Sequence, residues 1–121
     1  MPTILCVDDE PTQLTLLEFA FKRAGFRVLC ASDGAEAVEM AKTHKPDLIL
    51  MDLMMPVLDG AKATAKIKAH PATASIPVLL FTAYEKGTLA KTAMEAGALE
   101  IIPKTTTPSA LVKKIKQLAR L

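Results

Sequence analysis

The sequence predicts an α/β domain built on a parallel five-stranded sheet, and three observations carry that prediction. Five short apolar runs lack polar alternation, as strands buried on both faces do. They alternate with stretches whose apolar residues recur at helical spacing. The connections between them are short, which favours regular β–α–β crossovers. The strands are expected at Thr3–Val7, Arg27–Ala31, Asp47–Met51, Pro77–Phe81 and Leu99–Ile102.

The helices follow in order. The first starts at Pro11-Thr12, carries Leu14, Leu17, Phe21 and Ala24 on one stripe, widened by Leu16 and Ala20, and ends at Gly25. The second spans about Gly34 to His44, with Asp33 as N-cap and Ala35, Val38 and Ala41 facing inward. The third begins near Asp59-Gly60 and stops before Pro71. The fourth covers about Lys86 to Ala96, closed by Gly97. The fifth begins at Pro108-Ser109 and shows Leu111, Val112, Ile115, Leu118 and Ala119 at helical spacing. Right-handed crossovers leave few topologies for such a chain. The leading one is the flavodoxin-like, doubly wound order 2-1-3-4-5 with helices on both faces. Residues 1–121 are read as one domain, without repeat, low-complexity tract or interdomain linker. Ending with its last helix suits either a whole single-domain protein or a module of a longer one.

Composition narrows the function classes. Half of the 121 residues are hydrophobic, enough for a substantial core. No apolar run approaches the ~20 residues of a membrane span, and no secretory signal opens the chain. Cys6 and Cys30 both fall in expected strands and read as reduced core thiols, which points to the cytoplasm. A net charge of +2 is too small to announce nucleic-acid binding. The basic residues Lys113, Lys114, Lys116 and Arg120 follow helical spacing and read as a solvated face.

The acidic residues are the chemical signal. Asp8-Asp9 follow the run Ile4-Leu5-Cys6-Val7, and Asp52 follows Leu48-Ile49-Leu50-Met51. Residues just past a buried parallel strand lie at its carboxyl end, where open α/β sheets bind ligands. In the order 2-1-3-4-5, strands one and three are neighbours at the switch point, so three carboxylates converge. Like charges that close need a cation, and hard oxygen donors point to Mg²⁺ or Mn²⁺. Thr82 follows Val78-Leu79-Leu80-Phe81 and Lys104 follows Ile101-Ile102-Pro103, so the polar strand ends share one rim.

This set resembles the receiver domain of two-component response regulators over essentially the whole chain. The matching pieces are Val7-Asp8-Asp9-Glu10, Asp52 within Met51-Asp52-Leu53-Met54-Met55-Pro56, Asp59-Gly60, Thr82-Ala83 and Lys104. Each is weak alone; together, in this order and spacing, they are specific. The resemblance implies a phosphoacceptor switch in which Asp52 takes a phosphoryl group from a sensor histidine kinase or histidine phosphotransfer protein. It also implies that Asp9, Asp52 and the Met54 carbonyl hold the metal, with Asp8 acting largely through water. Lys104 and Thr82 would meet the phosphoryl oxygens. The output is then a downstream protein or a fused output domain, reached through the fourth helix, fifth strand and fifth helix, without direct contact with nucleic acid or membrane. Met54 and Tyr84 occupy the positions that in resembling proteins flank the water that hydrolyses the aspartyl phosphate. Such a chain is a signalling phosphoacceptor that assists its own phosphorylation and dephosphorylation, not an enzyme.

Two departures from the family pattern stand out. Ile101 replaces the aromatic that many members place three residues before the Lys. Thr105 replaces the proline that often follows it, which leaves the peptide after Lys104 open to trans or strained cis. Competing roles are simple for the remaining polar residues: Asp8 or Asp9 as an N-cap, Thr82 satisfying its own loop, Lys104 solvated, Glu10 near the metal without binding it, His44 and His70 at helix ends. A phosphatase with an aspartyl-phosphate intermediate needs a second acid two residues after the nucleophile, where Met54 stands. Flavin binding needs a small-residue phosphate loop where Asp8-Asp9-Glu10-Pro11 stand. A phosphorylation-independent interaction module would not require Asp52 and Lys104.

Overall fold

The computed structural model describes residues 1–84 and 86–119. Strands β1 (Thr3–Val7), β2 (Arg27–Ala31), β3 (Leu48–Met51), β4 (Val78–Thr82) and β5 (Glu100–Pro103) form one parallel sheet in the order β2-β1-β3-β4-β5. They alternate with α1 (Pro11–Arg23), α2 (Gly34–His44), α3 (Gly60–Ala69), α4 (Thr88–Glu95) and α5 (Pro108–Ala119). Alternate strand residues face opposite sides. Ile4, Cys6, Leu48, Leu50 and Leu79 pack with α1 and α5 through Leu17, Phe21, Leu111 and Ile115. Leu5, Val7, Ile49, Met51 and Leu80 pack with α2, α3 and α4 through Ala37, Ile67 and Ala93. Both faces are covered, which is why the strands read as unbroken apolar runs. Cys6 and Cys30 are in-register neighbours on β1 and β2 with free thiols, and burial pushes both thiol pKa values up.

Local chemistry sets the helix ends. The Asp33 side chain accepts from the Glu36 amide, and Glu36 in turn accepts from the Ser32 amide, a reciprocal cap on α2. Asp59 caps α3 through the Lys62 amide. Gly97 takes φ +116° after α4. Four expectations need correction. β3, β4 and β5 each begin one residue later than expected, and β4 and β5 extend through Thr82 and Pro103. α4 begins at Thr88 because Gly87, at φ +107°, breaks the helical conformation before it. Ala35 is exposed and Ala37 takes the inward place on α2. Leu16 is exposed, so the buried stripe of α1 is narrower than its apolar content. The side chain of Ala119 and all of Arg120 lie outside the described residues.

Candidate phosphoacceptor and metal site

One backbone hydrogen bond past the end of a strand positions each of three charged residues of the site, Asp8, Asp52 and Lys104. The Asp8 amide donates to the Ala31 carbonyl of β2 (3.1 Å), the Asp52 amide to the Val7 carbonyl of β1 (3.0 Å), and the Lys104 amide to the Thr82 carbonyl of β4 (3.0 Å). The sheet ladder therefore reaches into the site and aims these side chains over its carboxyl edge. Asp8 and Asp52 are buried, at 1% and 7% exposure, while Asp9 is exposed. One oxygen of each carboxylate lies within 4.8 Å of the others.

Lys104 Nζ donates to Asp8 Oδ2 at 2.7 Å and to Asp52 Oδ2 at 2.9 Å. Burial lowers the ammonium's pKa, but the hydrogen bonds and charges of Asp8 and Asp52 outweigh it and hold the pKa above the ordinary lysine value. The second oxygens are occupied by local amides: Asp8 Oδ1 accepts from Glu10 (3.0 Å) and Asp52 Oδ1 from Met54 (3.4 Å). Asp9 has no hydrogen-bond or ion-pair partner among the described residues. Three carboxylates against one ammonium leave surplus negative charge. An all-oxygen donor set at that spacing fits Mg²⁺ or Mn²⁺.

The other residues singled out from the sequence are placed as follows. Thr82 is fully buried, and its Oγ1 accepts from the Tyr84 amide at 3.1 Å. Met54 and Tyr84 stand out of their loops, half to mostly exposed. Ile101 pairs with Leu80 and packs, partly buried, on the α2–α4 side of the sheet. Glu10 is exposed and precedes α1, outside the acidic cluster. His44 and His70 are exposed at the ends of α2 and α3, and His70 Nδ1 accepts from the Ala72 amide. No cis peptide occurs among the described residues, so the Lys104–Thr105 bond is trans.

Two positions between β3 and the first turn of α3 carry constraints that the sequence reading did not assign to them. Gly60 has no room for a side chain: a Cβ there would collide with the Asp52 carbonyl, and the Gly60 amide donates to Leu53 at 2.8 Å. Its pairing with Asp59 was the available signal. Val57 adopts φ +68°, and nothing in its residue type announces that.

Residues 4–116 match the family described as response regulator receiver domain. The chain belongs to that family. Among relatives, it is 36% identical over 117 residues to the alkaline phosphatase synthesis transcriptional regulatory protein PhoP of Bacillus subtilis, covering 97% of this chain and 48% of PhoP. It is 35% identical over 115 residues to protein PilH of Pseudomonas aeruginosa, covering 95% of each. It therefore spans about half of one relative and nearly all of the other. The receiver domain of sensor histidine kinase PA1611 from P. aeruginosa PAO1, with a magnesium ion coordinated in its active site cleft, superposes with TM-score 0.91 at 30% identity, covering 99% of this chain and 98% of that one. Vibrio cholerae chemotaxis protein CheY4 superposes with TM-score 0.89 at 26% identity, covering 97% and 98%. The chain is thus a receiver domain of the two-component type, a phosphoacceptor signalling module. No described helix is long and apolar enough to cross a membrane.

Proposed function

We propose that Asp52 accepts the phosphoryl group, from a phosphohistidine on a sensor histidine kinase or histidine phosphotransfer protein. An Asp52 carboxylate oxygen forms the new P–O bond while the P–N bond breaks, and its electron pair returns to the imidazole nitrogen. The chain's own residues contribute positioning and charge. The Lys104 ammonium already bridges Asp8 and Asp52 and can shift to a phosphoryl oxygen as negative charge moves there. The Thr82 hydroxyl accepts from the Tyr84 amide, so its own proton remains available for a phosphoryl oxygen. Asp8, Asp9, Asp52 and the Met54 carbonyl would hold Mg²⁺ or Mn²⁺. A cation there supplies neutralisation of the phosphoryl oxygens.

The observation that carries this reading is the pairing of a lysine across two buried carboxylates with a third carboxylate left open on the same rim. In this reading residues 1–121 act as one cytoplasmic receiver domain that assists its own phosphorylation and dephosphorylation and turns over no separate substrate. Its output passes through α4, β5 and α5 to a downstream protein or a fused output domain, without direct nucleic-acid or membrane contact. Mass spectrometry after incubation with acetyl phosphate and Mg²⁺ tests it. Wild type should gain one phosphoryl group and Asp52→Asn none; equal incorporation in Asp52→Asn would sink the assignment.

A further inference from the structure

Val57 stands in the β3–α3 loop between Asp52 and the start of α3, with φ +68° and 81% of its surface exposed. The Leu58 amide donates back to the Pro56 carbonyl at 2.7 Å, so Val57 alone forms the bend of a three-residue turn. A γ-turn with positive φ is the rare and strained form, and a β-branched residue fits the left-handed region worst. Its exposure means that buried contacts do not compensate the strain. What holds the turn in place is the backbone around it. The Leu58 carbonyl rests on Gly34 at the start of α2, where a Cβ would collide with it, and Gly60 ties the loop back to Leu53 and Asp52. In the same loop the Met54 amide donates to Asp52 Oδ1 at 3.4 Å, beside the cluster of three carboxylates.

We infer that Val57 is a positioning residue that opposes the cation-competent loop conformation and so sets how tightly the Asp8/Asp9/Asp52 site holds its divalent cation. The inference rests on the reading of that cluster as a cation site. A left-handed residue bearing a Cβ disfavours its conformation by about five- to thirtyfold in population. On an exposed loop, this lowers the free energy of local opening. A ligand that needs the closed loop then binds with its affinity reduced by the closed fraction. Asn, which tolerates the left-handed region, removes much of that opposition without altering the donor set.

The experiment compares the full chain with Val57→Asn and, as a β-branched control, Val57→Ile. It uses thermal unfolding in EDTA and calorimetric titration with Mg²⁺. Val57→Asn should melt a few degrees higher without metal and bind Mg²⁺ about three- to tenfold more tightly, while Val57→Ile should track wild type. Higher stability with unchanged or weaker Mg²⁺ affinity would place the strain outside the binding equilibrium and overturn the inference, as would no gain in stability. Tighter binding in Val57→Ile as well would assign the effect to something other than strain. Absence of Mg²⁺ binding by wild type would instead overturn the underlying cation-site reading.

Discussion

Asp8, Asp9 and Asp52 share one cluster but not one environment. Asp8 and Asp52 are each satisfied by Lys104 and a backbone amide, whereas Asp9 adds negative charge and receives no described partner in return. Without metal, Asp9 therefore contributes mainly repulsion. Asp9→Asn should raise the melting temperature in EDTA by about 1–3 °C and weaken Mg²⁺ binding by about tenfold or more, read by calorimetry and by the Mg²⁺-induced shift in melting. A fall in metal-free stability would show that Asp9 is held by a favourable contact. Met54 and Tyr84 offer a second residue-scale test. Both are bulky, exposed side chains on the site's loops, and neither can orient a water through a carboxylate or amide. Tenfold slower hydrolysis needs only about 1.4 kcal/mol of added barrier. Shielding of an Asp52 phosphoryl group by these side chains predicts faster loss of phosphoryl label in Met54→Asn and Tyr84→Glu than in wild type, and unchanged decay in both would remove it. The three carboxylates were legible from the sequence because the pair Asp8-Asp9 and Asp52 come just after apolar strands. Val57 was not, because nothing in its residue type announces a positive φ.

At the scale of elements, α3 and the segment after it are joined by an unexpected device. Lys68 Nζ donates to the Ala74 carbonyl at 3.1 Å and the Ile76 carbonyl at 2.6 Å, and its Cγ lies against Gly97 beyond α4. Burial lowers its pKa, but even the neutral amine has enough protons to make both bonds. Lys68→Met keeps the stem and loses the two donations, so it should destabilise the domain by about 1–3 kcal/mol in urea unfolding with an unchanged m-value. A change under half a kcal/mol would show that water satisfies the two carbonyls instead. From sequence, Lys68 was one more lysine on a basic helix; only the returning chain supplies its acceptors. The same limit explains the shifts of β3, β4 and β5: apolar runs mark strands, but their ends depend on which neighbour completes the ladder. It also explains Leu16 and Ala35, whose periodic positions fall just beyond the strip of helix that the sheet covers.

At the scale of the whole molecule, the site and the α4–β5–α5 side are linked through Thr82 and Lys104, where the Lys104 amide donates a hydrogen bond to the Thr82 carbonyl of β4. In the proposed reaction a phosphoryl group on Asp52 would give both side chains a new partner, and a shift requires that the two loop conformations differ in their interaction with it. With a beryllofluoride mimic and Mg²⁺, Thr82 and the loop that follows it should move toward Asp52, with only small motion at Ile101, which is short and already partly buried. An unmoved Thr82 would count against this route; a large movement of Ile101 alone would redirect it. The sheet order, the two apolar faces and the gathering of Asp8, Asp9, Asp52, Thr82 and Lys104 on one rim were determined by the sequence itself. The apolar faces and strand-end positions follow from local pattern, and the handedness of β–α–β connections leaves few strand orders, of which this one leads. Tertiary structure alone decided that Lys104 spans Asp8 and Asp52, that Lys68 closes the turn before β4, and that Val57 bends against its preference. Those outcomes depend on distances between segments far apart in the chain, which only the packed molecule defines.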